Sequence, residues 1–123
     1  MKAVTHYEVN GHLFANKELA LAVEDILTHY PDLKFDVDNN AISVKVKSYE
    51  GAAWIEVSEN GAKIVFETHD PSMDTEEIIK LEQRGILWEF SRCIQYFTPK
   101  NKKNLLDDFK LLYEYTQEVG SLV

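Results

Sequence analysis

Between residues 52 and 66 the chain reads AAWIEVSENGAKIVF, and apolar and polar side chains alternate through most of it. A period of two predicts strands, and Asn60-Gly61 between two such runs predicts a β-hairpin. The same alternation covers Lys34–Asp38 and Ala41–Tyr49. With Ala52–Ser58 and Ala62–Thr68 it predicts four short strands, joined at Asn39-Asn40, Glu50-Gly51 and Asn60-Gly61. Two-residue turns at these sites pair Val37 with Ile42, Phe35 with Val44, Val46 with Ile55, Val44 with Val57, Val57 with Ile64 and Ile55 with Phe66. Each pair is apolar on both sides, so one face of an antiparallel meander is expected to be buried.

The pattern elsewhere has other periods. HYEVNGHLF predicts a short hairpin around Asn10-Gly11, with Tyr7, Val9, His12 and Phe14 on one face and His6, Glu8 and Leu13 on the other. Asn16 is placed to cap a helix in which Leu19, Ala22, Val23, Ile26, Leu27 and Tyr30 recur at helical spacing, closed by Pro31. Asp74 and Glu77 form a capping-box-like start for a helix running through IIKLEQRGILWEFSRCIQYF, divided at Gly85. Its second half is apolar over most of its circumference and is expected to be a deeply buried helix. After Thr98-Pro99 a last helix carries Leu105, Phe109, Leu112, Thr116 and Val119 on one stripe and is expected to end at Gly120. The expected architecture is a single α+β domain over 1–123. It has an N-terminal hairpin and helix, a four-stranded antiparallel meander, and two or three C-terminal helices packed on one sheet face.

Trp54 breaks the simple picture, because the register turns it away from the buried face. Continued outward, the register pairs Lys47 with Trp54 and Trp54 with Glu67, and puts Lys45, Glu56 and Val65 on the next rung. One face then shows Tyr49, Trp54 and Val65 ringed by Lys45, Lys47, Glu56, Lys63 and Glu67. Two readings stay open. Another element covers this face and lysine stems shield the ring, or the tryptophan is an exposed anchor with a charged rim, as in interface hot spots.

Charge sharpens the second reading. The 123 residues carry a net charge of −8. From Ser48 to Glu82 there are nine acids against two bases, a local net of −7. A bland solvated surface accounts for such acidity in many proteins. A concentrated acidic face meeting a basic partner is the sharper alternative. Direct binding of nucleic acid through its phosphates, which needs clustered Lys and Arg, is not expected, and neither is binding to an anionic membrane. No apolar run approaches the ~20 residues of a membrane span. The N-terminal stretch lacks the apolar core of a signal peptide, and Cys93 is the single cysteine. A reducing cytoplasm is therefore the expected setting.

Catalytic and metal chemistry find little support. The hairpin register points His6 and His12 apart, which argues against a shared metal. His29 falls at a helix C-terminus, where it suits the dipole. His69-Asp70 offers an oriented base and Cys93 a nucleophile, but the thiol falls in the most apolar segment and reads as a small buried hydrophobe. Glu76-Glu77 are adjacent and suit the start of a helix. No glycine-rich phosphate loop occurs. The expectation is a non-enzyme without metal or cofactor.

The opening YEVNGHLFANKELALAVEDIL, residues 7 to 27, resembles the start of many small acidic proteins encoded by phages and mobile elements. In these a hairpin of the form Y-x-V-x-G-x-x-F precedes a capped, alanine-rich helix. The resemblance implies an inhibitor of host defence or of a host enzyme, of the anti-restriction, anti-CRISPR or glycosylase-inhibitor kind. It carries no functional residues across. Charge and resemblance together give the expected function: a non-catalytic protein that occludes the basic, phosphate-binding surface of a nucleic-acid enzyme or a toxin. The expected partner-binding residues are Tyr49, Trp54, Glu56, Val65, Glu67, Asp70, Glu76 and Glu77. The alternative is a small-molecule or nucleotide-binding module with a pocket between sheet and helices.

Overall fold

The computed structural model describes residues 6–38, 40–46, 52–67, 75–91, 94–102 and 104–121. The predicted Asp74 cap, the Glu50-Gly51 turn, His69 and Cys93 lie outside the described residues.

The chain begins with a hairpin of β1 (Tyr7–Val9) and β2 (His12–Phe14), paired Tyr7 with Phe14 and Val9 with His12. Asn10 (φ 49) and Gly11 (φ 83) form its turn. Both central residues lie at positive φ, which is the twist that suits two right-handed strands. Phe14 is fully buried, while Leu13 on the opposite face is exposed. Helix α1 (Lys17–His29) starts where the Asn16 side chain accepts the Leu19 N–H at 2.9 Å. Leu19, Val23 and Ile26 form its buried stripe. Among the contacts that join this unit to the rest, His12 lies against Phe35 with ring centroids 5.1 Å apart, and the Ala15 N–H reaches the Asn40 side chain at 3.3 Å.

The main sheet contains β3 (Asp36–Asp38), β4 (Ala41–Val46), β5 (Ala52–Ser58), β6 (Gly61–Glu67), β7 (Ile86–Ser91) and β8 (Ile94–Pro99). It is six-stranded and wholly antiparallel, in the order β3-β4-β5-β6-β8-β7. Helix α2 (Thr75–Gln83) precedes β7, and α3 (Leu105–Ser121) follows β8. The fold is therefore α+β as expected, with a sheet two strands wider than the expected meander.

The extra strands correct the expected buried helix over residues 86–97. A run that is apolar on every side carries no period, so a helix and a strand pair fit it equally well. Gly85, at φ 80, stops α2 and turns the chain into β7. The Lys100 N–H then returns to the Gly85 carbonyl at 2.6 Å, closing the open end of the β7–β8 hairpin. Within β8, Gln95, Phe97 and Pro99 point inward and are buried, and Ile94, Tyr96 and Thr98 are half-buried between them. At the other end, α3 runs through Gly120 to Ser121 rather than stopping at the glycine.

The register differs from the expected one at two turns. Val37 pairs with Ile42 as predicted. On β5, however, Val44 pairs with Ile55 rather than Val57, and Val46 pairs with Ala53 rather than Ile55. Likewise Ile55 pairs with Ile64 rather than Phe66, and Val57 with Ala62 rather than Ile64. At the second of these turns the cause is visible. Ser58 pairs with Gly61, so the turn centres on Glu59-Asn60, one residue earlier than Asn60-Gly61. The positive φ falls on Gly61 (φ 126), and the Asn60 N–H is held by the Ser58 hydroxyl at 3.2 Å. Moving a turn by one residue shifts every pair by two. Side chains alternate with period two, so each strand keeps its faces. The core face survives and only the partners change.

That core face carries Ile42, Val44, Ile55, Val57, Ile64 and Phe97, each at most 2 % exposed. Leu19, Val23 and Ile26 of α1, Leu81 of α2 and Phe109 and Leu112 of α3 join them in one continuous core. Phe35, Val46 and Phe66 pack on its margin. Phe14, Phe97 and Phe109 are fully buried and fill the space between sheet and helices.

Candidate functional site

The other face of the sheet is built from the alternate residues. Its central rung crosses five strands: Lys45 on β4 pairs with Trp54 on β5, Trp54 with Val65 on β6, Val65 with Tyr96 on β8, and Tyr96 with Glu89 on β7. One neighbouring rung is Asp36–Ser43–Glu56–Lys63, and the other is Ala52–Glu67–Ile94. Val65 is 4 % exposed, and among the described residues it is the one buried side chain on this face. It lies outside the inner core. Trp54 and Tyr96 flank it and are half-buried, so the three form a small apolar strip across the strands. Leu87 on β7 adds an exposed apolar side chain at the edge of the same face.

Polar groups frame the strip. The Lys63 ammonium lies 5.0 Å from the centre of the Tyr96 ring and 3.9 Å from a Glu56 carboxylate oxygen. Both charges are more than a third exposed, so the pair adds at most about 1 kcal/mol to stability and mainly fixes where the lysine sits. Lys45, Glu67 and Glu89 are exposed at the margins. With Asp36 and Asp38 of β3 on the same side, the described part of this face carries two lysines beside three glutamates and two aspartates.

Four of the expected partner-binding residues come together here. Trp54, Glu56, Val65 and Glu67 share the outer face, with Trp54 opposite Val65 and Glu56 opposite Lys63, not in the predicted rungs. Tyr49 and Asp70 lie outside the described residues. Glu76 and Glu77 lie in the first turn of α2, and their side chains are likewise outside the description. Tyr96, Leu87 and Glu89 were not anticipated, because the helix expected over residues 86–97 kept them off the sheet. The signal that finds them is the spacing of Ile94, Tyr96 and Thr98, a β-branched and aromatic set at period two.

Two histidines have structural settings. His12 lies tilted against Phe35, and the His29 ring nitrogen Nδ1 lies 3.0 Å from the Asp25 carbonyl in the last turn of α1. Among the described residues no three His, Cys, Asp or Glu side chains gather as metal ligands would. No described helix is long and apolar enough to cross a membrane. The chain matches no protein-family model, no curated protein and no solved structure.

Proposed function

We propose that this chain is a small acidic binding protein that works by occlusion, not catalysis, and that the outer sheet face is its contact surface. The observation that carries the reading is the strip of Trp54, Val65 and Tyr96 on a face to which the buried side chains of the inner core do not contribute. A flat aromatic centre with a charged rim is the anatomy of an interface hot spot. The net charge of −8 favours a basic partner, and the acidic stretch from Ser48 to Glu82 includes Trp54 itself. The resemblance of residues 7 to 27 to phage and mobile-element inhibitors supports a cytoplasmic target such as a nucleic-acid enzyme of host defence, or a toxin. In this reading carboxylates of the acidic stretch take the place of phosphates, and Trp54 anchors the contact.

The test is capture from a lysate of the native host with wild-type and Trp54→Ala protein, repeated at raised salt. The expected result is a basic protein retained by the wild type, weakened by salt and lost with Trp54→Ala. Equal retention by the two proteins contradicts the assignment of this face.

A further inference from the structure

A second surface lies on the opposite side of the sheet, where α1 and α3 meet the β5–β6 turn. It is an open groove of about 660 Å³. One wall is a stripe of α1 in which Glu18, Leu21 and Asp25 follow at intervals of three and four residues. This stripe is not the core stripe of Leu19, Val23 and Ile26, and Leu21 is 52 % exposed in it. The facing wall is the start of α3, with Leu105 and Leu106 half-buried. The turn at Glu59 closes one end.

Both walls are held by side-chain bonds before anything binds. The Asn16 amide donates to the Glu59 carboxylate at 2.8 Å, tying the turn to the start of α1. Asn104 caps α3 by accepting the Asp107 N–H at 2.8 Å, and its own amide donates to the Asp107 carboxylate at 2.9 Å. A surface fixed in this way loses little conformational entropy on binding. Among the described residues its exposed charge is mainly acidic, with Glu18, Asp25 and Glu59 lining it beside Lys102.

We propose that this groove receives an amphipathic basic helix of a protein partner. An exposed leucine between two carboxylates, one helical turn away on either side, complements a helix carrying an apolar residue flanked by Lys or Arg at the same spacing. Glu18 and Asp25 are seven residues apart, about 10 Å along the axis, which matches two turns of a helix lying alongside. The groove between α1 and α3 gives such a helix two walls. The inference is independent of the Trp54 face, because the two surfaces lie on opposite sides of the sheet.

The test uses the full chain and two labelled synthetic peptides of identical composition. One has leucines on one helical face and lysines flanking them, and the other is the same residues scrambled out of amphipathic order. Fluorescence anisotropy at physiological salt should show the amphipathic peptide binding at least about tenfold tighter than the scrambled one. Leu21→Glu, at an exposed position, should abolish that preference, and the double variant Glu18→Lys with Asp25→Lys should abolish binding. Trp54→Ala should change neither. Amide shifts on titration should fall at residues 18–25 and 104–108. Equal affinity for the two peptides, including no binding of either, overturns the proposal. So does a preference that survives Leu21→Glu, or shifts confined to the Trp54 face.

Discussion

Trp54 and Val65 are direct cross-strand partners on the outer face of the sheet, and the smaller residue is the more deeply buried of the two. The tryptophan acts as a partial lid. It flanks Val65 on one side and Tyr96 flanks it on the other, and both aromatic residues are only half-buried. This arrangement gives the ring a share in stability and leaves it free to bind.

The first prediction separates the two faces. Val57 is fully buried in the inner core, so Val57→Ala should cost on the order of 1–3 kcal/mol. Trp54→Ala, which removes a half-buried ring, should cost about 1–2 kcal/mol, below the ~3–5 kcal/mol of a fully buried aromatic. Urea denaturation of both variants measures this. A Trp54→Ala loss equal to that of a core aromatic would mean the ring is wholly structural.

A second prediction concerns the β5–β6 turn. Gly61 has φ 126, and a Cβ built there meets nothing within 4 Å, so only the backbone resists a side chain. Gly61→Ala should cost about 1–2 kcal/mol. Asn60 is not at positive φ, and Asn60→Ala should change stability by less than about 0.5 kcal/mol. A turn centred on Asn60-Gly61 would make both substitutions costly, so the pair of melting curves reads the register directly.

A third prediction follows from Tyr30, which closes α1 and packs on Phe109 and Tyr113 with ring centroids 5.7 and 4.9 Å away. Burial first, and then the Glu114 carboxylate and Tyr113, push its hydroxyl above the ordinary tyrosine value of 10.0. In the fold the proton is therefore kept where the unfolded chain has lost it. The stabilisation is whole below about pH 10 and falls as pH rises past that value. Denaturation on either side of pH 10 should show a smaller alkaline loss in Tyr30→Phe than in the wild type. Identical losses would remove Tyr30 from the account.

What was legible in the chain follows the strength of its local signals. Asn10-Gly11 has two residues that accept positive φ, with Tyr7, Val9 and Phe14 together on one face, so its hairpin and register could both be read. The β3–β4 pairing was readable for the same reason, with Asn40 at φ 66. Glu59-Asn60-Gly61 offers two places for a turn, and the chain uses the one that needs positive φ at glycine alone. The face of Trp54 was still recoverable, since parity survives a two-residue shift, but its partner was not. Over residues 86–97 apolar side chains occupy both faces, so period does not separate strand from helix there, and the β-branched and aromatic character of Ile94, Tyr96 and Thr98 is what marks the strand. Leu21 was overlooked because it falls outside the core stripe of α1.

The proposed contact is tested most directly by association and dissociation rates of the captured host partner on wild type, Trp54→Ala and the double variant Glu56→Lys with Glu67→Lys. Rim charges steer encounter, so the double variant should mainly slow association and flatten its dependence on salt. The anchor holds the complex together, so Trp54→Ala should mainly speed dissociation, with a loss of at least about 2 kcal/mol in binding. A Trp54→Ala protein that stays folded and binds its partner as well as the wild type would contradict the account, as would a wild-type chain that retains no basic protein from its host.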